Sequence, residues 1–89
     1  MEFKFVKIIS VDMLKELSTH TLIECFIELN KGLRSSKTVF YDAEEEKFYI
    51  TNNIDDTEQV LTEEELFTES NIGEAIIKGC FWQCLEYDV

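Results

Sequence analysis

Apolar residues recur along the chain with two periods, and the switches between them mark its elements. Glu2 to Ile9 has strand composition, with Phe3 and Phe5 on one face and Val6 and Ile8 on the other. Apolar residues on both faces predict a central strand. Ser10 stands where it can cap a short helix to about Ser18, in which Val11, Leu14 and Leu17 recur at helical spacing while Asp12, Lys15 and Glu16 face water. Thr21 to Leu29 is strand-like again, and Asn30-Lys31-Gly32 with Ser35-Ser36 supplies the turn chemistry to end it.

The clearest hairpin pairs Lys37 to Asp42 with Lys47 to Asn53 across Ala43-Glu44-Glu45-Glu46. Phe40, Tyr41, Phe48, Tyr49 and Ile50 give both strands the aromatic and branched character that pairs well across a ladder. Asn52-Asn53 and Asp55-Asp56 mark the next turn, after which Glu58 to Leu61 forms the brief last strand of the meander. Thr62 and Glu65 have capping-box spacing, so a helical turn starts there. Asn71 and Glu74 repeat that spacing ahead of an apolar stripe of Ile72, Ala75 and Ile76 that closes at Gly79, with Glu74 and Lys78 as an i,i+4 pair. Cys80 to Tyr87 is a final strand in which Phe81 and Trp82 point to opposite faces. The whole predicts an α+β fold in one compact domain over residues 1–89: a mostly antiparallel sheet of four to six strands with two short helices packed on one face.

Charge sharpens this picture. Residues 1–40 carry six Lys/Arg against five Asp/Glu, and residues 41–89 carry two against fourteen. A field of that sign repels nucleic acid phosphates and anionic lipid, so the partner it selects is a protein with a basic surface rather than nucleic acid or membrane. The acids cluster at the connections: Asp42, Glu44, Glu45 and Glu46 in the hairpin turn, Asp55, Asp56 and Glu58 around the next, and Glu63 and Glu64 beyond. In a meander the first and third groups fall at one end of the sheet and the second at the other. Local structure accounts for part of this, because acids favour a helix N-terminus and turn carboxylates are ordinarily solvated. It does not account for Lys47 and Lys78 being the only cations in the last forty-nine residues.

Candidate chemistry narrows the function further. His20, Cys25, Cys80 and Cys84 would make a four-ligand zinc set, but their spacing lacks the tight knuckles that present zinc ligands. The acidic turns lack the glycine and terminal glutamate of a calcium loop. No metal, cofactor or catalytic motif emerges, and the expectation is a protein that is not an enzyme. Three unpatterned cysteines and an opening segment broken by Glu2, Lys4 and Lys7 predict a cytoplasmic chain without a disulfide framework or secretion signal. Trp82 is the natural anchor of a contact surface, because two short helices leave part of a sheet uncovered for a partner or for a second copy of the chain.

In size, acidity and lack of an active-site motif the chain resembles the small inhibitors carried by phages and mobile elements, including anti-CRISPR and anti-restriction DNA mimics. That resemblance implies a binding module whose carboxylates occupy a basic groove made for nucleic acid. The competing expectation is a structural or adaptor domain that uses its sheet or its C-terminal aromatic segment.

Overall fold

The alternating segments become six antiparallel strands in the computed structural model, which describes residues 2–30 and 34–87. In chain order the elements are β1 (Glu2–Lys7), α1 (Val11–Ser18), β2 (Ile23–Glu28), β3 (Arg34–Asp42), β4 (Lys47–Asn52), β5 (Thr57–Leu61), α2 (Glu65–Thr68), α3 (Ile72–Lys78) and β6 (Phe81–Tyr87). They form one sheet in the order β1-β6-β2-β3-β4-β5. The fold is α+β, and the described residues form three helical segments rather than two, because the capped turn at 62–65 continues into α2.

Local chemistry starts and stops each helix. The Ser10 hydroxyl accepts from the Met13 N–H at 3.1 Å, and Leu14 is fully buried on the inner side of α1. His20, in the left-handed region at φ 68°, redirects the chain toward β2. Thr62 and Glu65 satisfy each other: the Glu65 N–H donates to the Thr62 hydroxyl at 3.2 Å and the Thr62 N–H to the Glu65 carboxylate at 2.9 Å. Asn71 gives no side-chain cap to α3, and the Ile72 N–H donates to the Ser70 hydroxyl instead, at 3.2 Å. The helix ends at Gly79, whose φ of 74° lets the Cys80 N–H reach back to the Ala75 carbonyl at 2.9 Å. α2 and α3 meet closely at Gly73, where a Cβ would stand 2.3 Å from the Phe67 ring.

All three helices lie on one side of the sheet. Beneath them Ile23, Cys25 and Ile27 of β2, Val39 and Tyr41 of β3, Phe48 and Ile50 of β4 and Phe81 of β6 join Leu14, Leu66, Ile72 and Ile76 in one core. Alternation then sends Phe5, Lys7, Phe26, Arg34, Phe40, Tyr49 and Trp82 to the opposite, helix-free side.

Two expectations need correction. Among the described residues β1 is an edge strand, paired only with β6, and Phe5 on its outer face is matched by Phe26 and Trp82 rather than by a covering layer. β3 starts at Arg34, so Ser35 and Ser36 pair with Ile27 and Phe26 inside the ladder instead of forming a turn. The Lys31-Gly32 part of that proposed turn lies outside the described residues.

Candidate functional site

Antiparallel parity builds an acidic end. β3 runs into the hairpin tip at the end of the sheet where β5 also finishes, and the first turn of α2 follows directly. Asp42 shapes the tip by accepting from the Glu45 and Glu44 N–H groups at 3.1 and 2.9 Å, bonds that hold its carboxyl below the usual carboxylate range. Glu45 accepts from the Tyr49 hydroxyl at 2.5 Å, which pushes the phenol above its ordinary range. Glu46 closes the turn at φ 57°, a conformation that glycine adopts without strain and glutamate does not.

Lys15 crosses from α1 to this end. It forms an ion pair with Glu63, which raises its pKa above the ordinary lysine value, and its ammonium lies 5.5 Å from the centre of the Tyr41 ring. With Tyr41, Glu46, Thr62, Glu63 and Glu64 it lines a shallow depression of about 350 Å³. Six of the candidates read from the sequence, Asp42, Glu44, Glu45, Glu46, Glu63 and Glu64, therefore gather at one end of the sheet. Glu44, Glu46 and Glu64 are the exposed members that make no side-chain hydrogen bond or ion pair among the described residues.

The other candidates lie elsewhere. Asp55 and Asp56 occupy the β4–β5 turn at the far end, where Asp55 accepts from the Thr57 hydroxyl at 2.7 Å and the Thr57 N–H at 3.1 Å, lowering its pKa. Glu58 projects from β5 on the helix-free face, in register with Thr51 and, through it, Thr38 and Glu24. Trp82 is on that same face, its indole N–H donating to Glu28 at 3.2 Å.

The helix-free face holds a group of residues that sequence reasoning missed. Phe5 and Phe26 meet edge to face at 5.3 Å, the Arg34 guanidinium lies 4.9 and 4.6 Å from their ring centres, and the Lys7 ammonium lies 4.9 Å from that of Trp82. A second apolar group, Leu22, Phe40, Tyr49 and Val60, sits across the polar Glu24–Thr38–Thr51–Glu58 row from the first. The signal in the sequence was the apolar character of both faces of β1, which marks a ring that needs a partner outside the covered core.

Cys25 points into the core and is 1% exposed, and burial pushes its thiol up to about 12. Cys84, opposite Phe5, points to the other face, so these two members of the cysteine and histidine set are separated by the sheet. Among the described residues there is no group of three or more His, Cys, Asp or Glu side chains placed to hold a metal ion, and no helix long and apolar enough to cross a membrane. Compared with protein-family models, curated proteins and solved structures, the chain matches none.

Proposed function

We propose that the protein is a non-enzymatic binding module whose acidic end docks on a basic surface of another protein, in a groove that otherwise receives nucleic acid phosphates. The observation that carries this reading is the convergence of the 42–46 tip and the 62–64 segment around one depression, with Lys15 and Lys47 as the neighbouring cations. Glu46 adds support. An acid occupies the turn position where glycine would be unstrained, and retained strain of this kind is accounted for when the side chain has work to do in solvent. Rim carboxylates of this type speed association by long-range attraction, and screening removes the advantage as salt rises. The setting that fits is that of the small inhibitors of phages and mobile elements.

The test is capture of cytosolic proteins on the immobilised chain at low and high salt. Joint replacement Glu44→Lys, Glu46→Lys and Glu64→Lys should abolish capture of a basic partner, while Asp55→Lys with Asp56→Lys at the far end should leave it intact. Equal loss from both sets, or capture indifferent to salt, would reject the acidic end as the docking site. Glu46→Gly separates the roles further: it should stabilise the fold by about 1 kcal/mol through relief of backbone strain and still weaken capture.

A further inference from the structure

We propose that the helix-free face is the interface of a back-to-back dimer of this chain, with the two-fold axis running parallel to the strands between β2 and β3. The inference is independent of the acidic end and rests on how charges are distributed across the uncovered face. At the centre of the face Arg34 of β3 stands beside Glu24 and Glu28 of β2, with Lys7 of β1 and Glu58 of β5 toward its edges, and Asp42 and Lys47 form a cross-strand pair of opposite charge at the tip end.

An axis in that position lays β2 over β3 of the second copy and β1 over β5. Glu28 and Arg34 are register partners within one chain, so rotation about this axis brings each Arg34 over Glu28 of the second copy. By the same register Glu24 meets Thr38, Phe26 meets Ser36, and Leu22 comes over Phe40. On the outer strands the same register brings Phe5 over Glu58 of the second copy and Lys7 over the end of its β4–β5 turn, beside Asp56. The other simple arrangement, an axis across the strands through the polar row, would set Glu24 against Glu24 and is disfavoured by like-charge contact.

The available area is sufficient. Six strands about 4.8 Å apart and about 20 Å long present roughly 580 Å² per copy. Two such faces bury roughly 1,150 Å², just above the lower limit of about 1,000 Å² for a specific contact. Facing sheets about 10 Å apart are also an ordinary packing mode, with strands nearly aligned.

Sedimentation equilibrium across a concentration series tests this. The wild-type chain should approach twice the monomer mass. Leu22→Asp should weaken the dimer roughly tenfold or more by burying an unpaired charge, and it should fold normally, because Leu22 is 67% exposed in the isolated chain. The sharper test is a mixing experiment. Arg34→Glu alone sets acid against acid across the interface, and Glu28→Arg alone sets cation against cation, so each should be monomeric. Mixed in equal amounts they should form a heterodimer, since both crossings then pair Glu with Arg while each chain keeps its internal mismatch. A wild-type chain that stays monomeric throughout, a dimer indifferent to Leu22→Asp and Arg34→Glu, or folded single variants that fail to associate on mixing would each overturn the proposal. Circular dichroism confirms that every variant entering the comparison is folded.

Discussion

On the covered face Phe48 and Phe81 lie fully buried beneath packed helices, whereas on the helix-free face Phe5 and Phe26 are roofed by the guanidinium of one arginine. Both arrangements remove aromatic surface from water, by means of very different strength. A helix layer excludes solvent permanently and surrounds each ring with dispersion contacts. A cation over a ring contributes less and stays exchangeable, because another surface can displace or share it. One side of the sheet is thus committed to the fold, and the other is available for association.

That contrast can be broken experimentally, and the largest effect belongs to the covered side. Phe48→Ala should destabilise the protein by about 3–5 kcal/mol, the range for an aromatic ring removed from a filled core, as read from urea midpoints. Phe5→Ala, which removes a ring that is 39% exposed, should cost only about 1–2 kcal/mol when measured at concentrations low enough to keep the chain monomeric. Equal costs for the two would mean that the faces are energetically equivalent. Arg34→Gln keeps most of the side-chain stem and deletes the charge, so its loss should be about 0.5–1 kcal/mol.

The smallest effect at neutral pH concerns Cys25. Its thiol is raised from the ordinary range to about 12 by burial, so the folded state holds its proton more tightly than the unfolded state. The associated stability is fully present below the usual thiol pKa and is lost as pH rises from there toward about 12. Cys25 should therefore resist alkylation in mildly alkaline buffer and react only when the chain is unfolded. Rapid labelling of the native protein at this residue would contradict its placement in the core.

The two faces also differ in how far they could be read from the chain. The covered face was legible where neighbours in sequence decide it. The 37–53 hairpin follows from alternating aromatic and branched residues, the Thr62–Glu65 box from a three-residue spacing, and the Gly79 stop from the only residue type at ease with φ 74°. Opposite placement of the 42–46 and 55–58 turns was legible too, since strand parity alone requires it. The helix-free face was not. Arg34 lies over rings from β1 and β2, and Trp82 bonds to Glu28 across fifty-four residues of sequence, relations set by which strands become neighbours rather than by local pattern. The same non-local order misled the placement of β1, whose two apolar faces mimic a central strand. At the acidic end, sequence showed the carboxylates but not the ion pair that ties Glu63 to Lys15.

Strand order also has a consequence for how the protein comes into being. β6, the last of the described strands, is second in the sheet, and among the described residues it supplies the only pairing of β1 and one of the two of β2. Until residues 81–87 clear the ribosome, the nascent chain can assemble the β2–β5 meander but must hold its first strand unmatched. Sheet closure is therefore a late, long-range event, deferred until synthesis has delivered the insert that joins the two parts.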